Sequence, residues 1–100
     1  LRWPRSHKFT LSDVGRSAAL AYREQTQTSR NGGRASYDAA RAEWATSHRL
    51  QVDDGLYLDE LTTGGATLPQ LLTALETCGQ TRREALAALS RLADAGMFAE

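Results

Sequence analysis

Apolar residues recur every three or four positions along two segments of the N-terminal half, which is the spacing of one face of an α-helix. The first segment is TLSDVGRSAALAYREQTQ, residues 10–27, and the second covers residues 35–49. Thr10 and Asp13 have the spacing of a capping box, so the first helix is expected to begin there. We expect its buried face to contain Leu11, Val14, Ala18, Ala21 and Tyr22.

The segments before and between these helices lack such periodicity. SRNGGRAS, residues 29–36, indicates an open loop, because Asn-Gly-Gly offers several positions that tolerate a positive φ. Residues 1–9 predict an extended arm, which Trp3 and Phe9 are expected to anchor on the body of the protein. The second helix is expected to present one face made of Tyr37, Ala40, Trp44 and Ser47.

The stretch RLQVDDGLYLDEL, residues 49–61, fits two structures. As a hairpin, Leu50 and Val52 would pair across Asp-Asp-Gly with Leu56 and Leu58. As a helix, it begins at Asp53 or Asp54, which would cap it, and ends near Gly64. The helix is preferred because two well-marked helices follow it. In that case Tyr57, Leu58 and Leu61 turn inward.

The first of those two helices lies in GGATLPQLLTALETCG, residues 64–79. Thr67 and Gln70 form a capping box at its start, and Gly79 has the position of a helix stop. Its apolar face contains Leu68, Leu71, Leu72 and Leu75. Cys78 ends that face, so we expect a small buried thiol.

The second helix lies in TRREALAALSRLADAG, residues 81–96, and has the same arrangement. Thr81 and Glu84 form its capping box, and Gly96 ends it. Its buried stripe is expected to contain Ala85, Leu86, Leu89 and Leu92, with Ala87, Ala88, Ser90 and Arg91 facing outward.

These two helices and the Gly79-Gln80 turn between them form a helix-turn-helix pattern. The tail ALSRLADAGMF, residues 88–98, resembles the end of a winged-helix recognition helix and its first wing strand. The short GAT ending at Thr67 resembles the small strand of such domains, and residues 53–63 would be their first helix. The resemblance to winged-helix DNA-binding domains covers about residues 53–100. It implies a wing that is truncated or absent in this sequence.

The resulting prediction is a mainly α fold. One hundred residues fit a single domain over 1–100. Within it, the arm leads to a helical pair over residues 10–50, which packs on the winged-helix-like helix-turn-helix part.

The charge is distributed unevenly, although the net charge is zero. Residues 1–50 hold nine Arg or Lys and four Asp or Glu, a net charge of +5. Residues 51–100 hold three Arg and eight Asp or Glu, a net charge of −5. Such asymmetry is typical of a basic nucleic-acid-binding arm, and equally of two halves that attract each other.

The resemblance implies that the recognition helix contacts DNA with its first residues. Arg is suited to bidentate contact with guanine and Gln to contact with adenine. The candidate DNA-binding residues are Gln80, Thr81, Arg82 and Arg83, with Arg91, Arg2, Arg5 and Lys8 as further basic contacts. Each also has an ordinary explanation, since Thr81 is a helix cap and exposed arginines are common on surfaces. The leading function is double-stranded DNA binding in bacterial or phage transcription regulation or another DNA transaction.

The alternative is a winged-helix protein-interaction or dimerisation module with no direct DNA contact. It would use an acidic face made of Asp53, Asp54, Asp59, Glu60 and Glu76. Catalysis finds no support, because His7 and His48 have no acid or nucleophile at a recognisable spacing. We expect no enzyme, cofactor or metal. The lack of a long apolar run or secretory signal favours a cytoplasmic protein without a membrane partner.

Overall fold

A computed structural model describes residues 3–29 and 32–99 of the chain. This part is mainly helical, as predicted, and also contains one short two-stranded sheet. Its elements are β1 (Lys8–Phe9), α1 (Asp13–Ser29), α2 (Gly33–His48), α3 (Asp54–Leu61), β2 (Ala66–Thr67), α4 (Leu68–Ala74), a 3₁₀ turn (Glu76–Cys78) and α5 (Arg82–Asp94).

The predicted arm is built into the fold through the small sheet. β1 runs antiparallel to β2, with Lys8 opposite Thr67 and Phe9 opposite Ala66. Leu11 forms an antiparallel bridge with Phe98, just after α5. The Phe9 ring is buried and lies 5.0 Å from the Trp3 ring, so the expected anchoring of the arm by these two aromatics is confirmed.

The start of α1 differs from the predicted capping box of Thr10 and Asp13. Ser12 occupies the capping position, where its Oγ accepts a hydrogen bond from the Gly15 N–H at 3.1 Å. The same hydroxyl donates to the carbonyl oxygen of Gly96 at 2.6 Å. Thr10 lies two residues before this capping position, in the extended segment, where its carbonyl accepts a hydrogen bond from the Ala99 N–H.

The buried face of α1 is rotated relative to the prediction. Val14 was expected inside but is 56% exposed, whereas Gly15 is buried. A Cβ at Gly15 would overlap the carbonyl oxygen of Met97, so this close approach between α1 and the end of the chain requires glycine. The approach sets which side of α1 faces the core, and residues Ala18, Ala19, Tyr22 and Thr26 follow on that side.

Trp44 joins α2 to α1. It is fully buried, and its Nε1–H donates to the carbonyl oxygen of Ala18 at 2.9 Å. Its ring also meets the Tyr22 ring edge-on, with centroids 5.0 Å apart, a favourable aromatic geometry. The predicted face of α2 is therefore confirmed at Ala40 and Trp44, but Ser47 is exposed.

α3 is a helix and not a hairpin, which confirms the preferred alternative. Tyr57, Leu58 and Leu61 are buried, as that alternative requires. The capping prediction is wrong, because Asp53 occupies the capping position without a side-chain bond to the helix. Asp54 lies in the first turn of α3, and its carboxylate binds Arg91 of α5.

The capping box of α4 is confirmed at Thr67 and Gln70. The helix is shorter than predicted, because it ends at Ala74 and the chain continues as a 3₁₀ turn to Gly79, where φ is 76°. This change of winding moves Cys78 off the apolar face. Its thiol is exposed, and the prediction of a buried thiol is wrong.

α5 begins at its predicted capping box and buries Ala85, Leu89 and Leu92, as expected. Two positions differ from the prediction: Ala88 is buried instead of facing outward, and Leu86 is only partly buried. The inner stripe therefore begins with two small residues and ends with two leucines, and this stripe faces α3 and α4.

Candidate nucleic-acid interface

The turn before α5 has a rigid geometry. The Thr81 hydroxyl oxygen accepts a hydrogen bond from the Glu84 N–H at 3.2 Å, and the Thr81 N–H donates to the Glu84 carboxylate at 3.3 Å. This reciprocal pair satisfies two backbone N–H groups at the helix start. Thr81 therefore has a structural role that does not depend on any ligand.

Arg82 and Arg83 occupy the first turn of α5, and both are exposed. Neither forms an ion pair or a side-chain hydrogen bond with another residue of the described ranges 3–29 and 32–99. Positive charge at a helix N-terminus is disfavoured by the helix dipole. These two arginines therefore contribute little to the stability of α5 and are available for a ligand.

The side-chain amide of Gln80 is engaged inside the protein at both ends. Its Oε1 accepts a hydrogen bond from the Tyr57 hydroxyl at 2.7 Å, and its Nε2 donates to Asp53 at 3.3 Å. Burial raises the pKa of Tyr57 to about 12, so its hydroxyl keeps its proton for this bond at neutral pH. The predicted adenine contact by Gln80 conflicts with this geometry, since the same amide atoms would have to leave their partners.

Arg91, which was predicted as a DNA contact, is bound within the protein and has a structural role. Its Nε and Nη2 donate to the two carboxylate oxygens of Asp54 at 3.0 and 2.8 Å, in a forked geometry. Asp54 is fully buried and also accepts a hydrogen bond from the Gln51 N–H at 2.9 Å. The hydrogen bond to Asp54 raises the pKa of Arg91. The pair clamps α5 to α3.

The basic residues of the arm lie at the other end of α5. Lys8 pairs with the strand that leads into α4, and Leu11 bridges Phe98, which lies four residues after the end of α5. Because α5 is 13 residues long, its two ends are about 20 Å apart. Arg5 and Lys8 are exposed, but the structure does not bring them to Arg82 and Arg83. Arg2 lies outside the described residues.

Three of the five acidic residues predicted to bind a protein partner form ion pairs within the chain. Asp54 binds Arg91, and Asp59 and Asp53 form ion pairs with arginines of α1 and α2. The Arg23–Asp59 distance is 3.0 Å and the Arg41–Asp53 distance is 3.2 Å. These two pairs join the basic N-terminal half to the acidic C-terminal half, which accounts for part of the charge asymmetry of the sequence.

Arg41 extends this contact into a network of side-chain hydrogen bonds. Its Nε donates to the Tyr22 hydroxyl at 3.0 Å, while Asp53 also accepts the bond from Gln80. Through Asp53, this network reaches from Tyr22 on α1 to Gln80 in the turn before α5, where Gln80 also accepts the bond from Tyr57. Sequence reasoning missed it, because its members are far apart in the sequence and only their polar character is visible there.

Comparison with known proteins adds no family. No protein-family model matches the chain, and no curated protein or solved structure matches it. The winged-helix resemblance therefore stays a prediction from the sequence. Within the described residues, no helix is both long enough and apolar enough to span a bilayer, and no three metal-ligating side chains gather into a site.

Proposed function

We propose that this chain binds double-stranded DNA through the first turn of α5, with Arg82 and Arg83 as the contact residues. The observation that supports this is the exposure of both side chains, without an ion-pair partner among the described residues, directly after a tight turn. Helix-turn-helix proteins contact base edges with the corresponding residues of their second helix. Arginine is the side chain that most often contacts guanine.

The other candidates take different parts in the proposal. Thr81 and Gln80 hold the turn in place through Glu84 and Tyr57, so they position the arginines. Arg5 and Lys8 can contact phosphates only if the DNA extends past both ends of α5. At 3.4 Å per base pair, that distance corresponds to about six base pairs.

The protein-interaction alternative has less support than DNA binding. Of its five acidic residues, only Glu60 and Glu76 have no ion pair with another described residue. Two carboxylates on separate elements form a weak surface for a basic partner, because exposed charges interact by less than about 1 kcal/mol each.

Fluorescence anisotropy tests the proposal. A duplex selected from a random pool by this chain is labelled and titrated with the wild type, Arg82→Ala and Arg83→Ala. We expect each variant to weaken binding by about 1–3 kcal/mol, which is roughly 5- to 150-fold in Kd. Arg34→Ala is the matched control, since Arg34 is an exposed arginine on α2 with only a local ion pair to Asp38.

Two outcomes would contradict DNA binding at this turn. One is the absence of any enriched duplex at low salt. The other is an equal loss of affinity in Arg34→Ala and in the two α5 variants, because it would show a general charge effect.

A further inference from the structure

A groove opens between the start of α1, the end of α3 and the glycine pair before β2. Its volume is about 300 Å³. Leu11, Leu20 and Leu61 supply its apolar walls, and Leu20 is 56% exposed. Gly64 and Gly65 form the opposite side with backbone, and φ at Gly64 is 142°, a conformation that favours glycine. Concave sites with apolar walls and few polar groups are typical of small-molecule sites.

The rim of this groove is positively charged. Arg16 lines the groove, and no acidic side chain of residues 3–29 and 32–99 lines it. Lys8 lies against Gly65, where its Cε would be 2.7 Å from a Cβ at that position. Within residues 3–29 and 32–99, neither cation forms an ion pair. The groove therefore combines an apolar wall with positive charge that no acidic residue of the described ranges pairs with.

We propose that this groove binds a small carboxylic acid with an apolar tail. The tail would lie on Leu20 and Leu61, and the carboxylate would meet Arg16, the cation that lines the groove. Lys8, beside Gly65, is a second cation nearby. A volume of about 300 Å³ corresponds to about ten water molecules, which matches a carboxylate of about ten non-hydrogen atoms such as octanoate. The site lies at the arm end of the molecule, away from Arg82 and Arg83, and does not depend on DNA binding.

An NMR titration with octanoate tests this proposal. We expect saturable shifts at the Gly64 and Gly65 amides and the Leu20 methyl groups, with a Kd on the order of 1 mM. The same titration with 1-octanol, which has the tail without the charge, should give binding at least about five-fold weaker.

Variants separate the charge from the apolar wall. Arg16→Gln should weaken octanoate binding by about five-fold or more and leave octanol binding unchanged, while Leu20→Ala should weaken both. Arg34→Gln, which removes a distant exposed arginine, should change neither. The proposal is overturned if octanoate gives no saturable shifts up to about 10 mM, if octanol binds equally well, or if Arg16→Gln has no effect.

Discussion

The two ends of α5 carry the same residue type in opposite surroundings. At the first turn, Arg82 and Arg83 extend into solvent with no acidic partner among the described residues. Near the end, Arg91 is held by both carboxylate oxygens of the buried Asp54. An arginine on a predicted recognition helix therefore has a structural role when an acid from another element reaches it, and is available to a ligand when none does.

Removing Arg91 is expected to have the largest effect on stability. Arg91→Met leaves the Asp54 carboxylate buried without its counterion, which is strongly destabilising. Because Arg91 is itself 40% exposed, we expect a loss near the low end of the usual range, about 3 kcal/mol in the free energy of unfolding. Urea denaturation of the wild type and the variant measures it.

The double variant Asp54→Leu with Arg91→Met is the control for this prediction. It removes both charges, so most of the lost stability should return. If Arg91→Met alone costs less than about 0.5 kcal/mol, the pair is not structural and the contrast between the two ends of α5 fails.

Tyr57→Phe is expected to have an intermediate effect on stability, because it weakens the turn before α5. It removes the hydroxyl that donates to Gln80, which should cost about 1 kcal/mol. The effect depends on pH. The pKa of Tyr57 is raised to about 12 from an ordinary 10 because burial disfavours the tyrosinate, so its contribution is complete below pH 10. It is then lost as the pH rises through 12.

Alkaline denaturation of the two proteins checks this dependence. The wild type should lose more stability than Tyr57→Phe between about pH 10 and 12. Tyr22, whose pKa burial also raises to about 12, remains in both proteins and gives a shared loss. Identical alkaline profiles would contradict the proposed state of Tyr57.

The smallest effect on stability is expected at the ion pair between the two halves. Arg23 and Asp59 are 49% and 43% exposed, so solvent screens their attraction. Arg23→Gln should cost less than about 1 kcal/mol, and the cost should shrink at high salt. A loss as large as that of Arg91→Met, or one that salt does not change, would show that exposure does not separate the two kinds of arginine.

The features predicted correctly are those whose partners are close in sequence. The capping boxes at Thr67 and Thr81 each involve a partner three residues later, so a short stretch of sequence contains the whole interaction. The helical prediction for residues 54–61 depends on the two well-marked helices that follow it, whose own capping boxes are local.

The features that sequence reasoning missed depend on distant residues. Ser12 became the cap of α1 because its hydroxyl also reaches Gly96, 84 residues away. The partner of Arg91 is Asp54, 37 residues away, and nothing in the local pattern distinguishes that acid from its neighbour Asp53. The candidate site could therefore be predicted at Arg82 and Arg83, whose exposure follows from helical periodicity, but not at positions where tertiary contacts decide the role.

The salt dependence of DNA binding is the most direct test of the central claim, that Arg82 and Arg83 contact DNA. The logarithm of Kd is measured against the logarithm of salt concentration for the wild type and for Arg82→Gln with Arg83→Gln. We expect affinity to fall by about 1–3 kcal/mol for each arginine that contacts a base, and the slope to fall by about 1 for each arginine that contacts a phosphate. The free energy of unfolding should stay within about 0.5 kcal/mol. An unchanged slope and affinity, in a variant that is equally stable, would contradict the account.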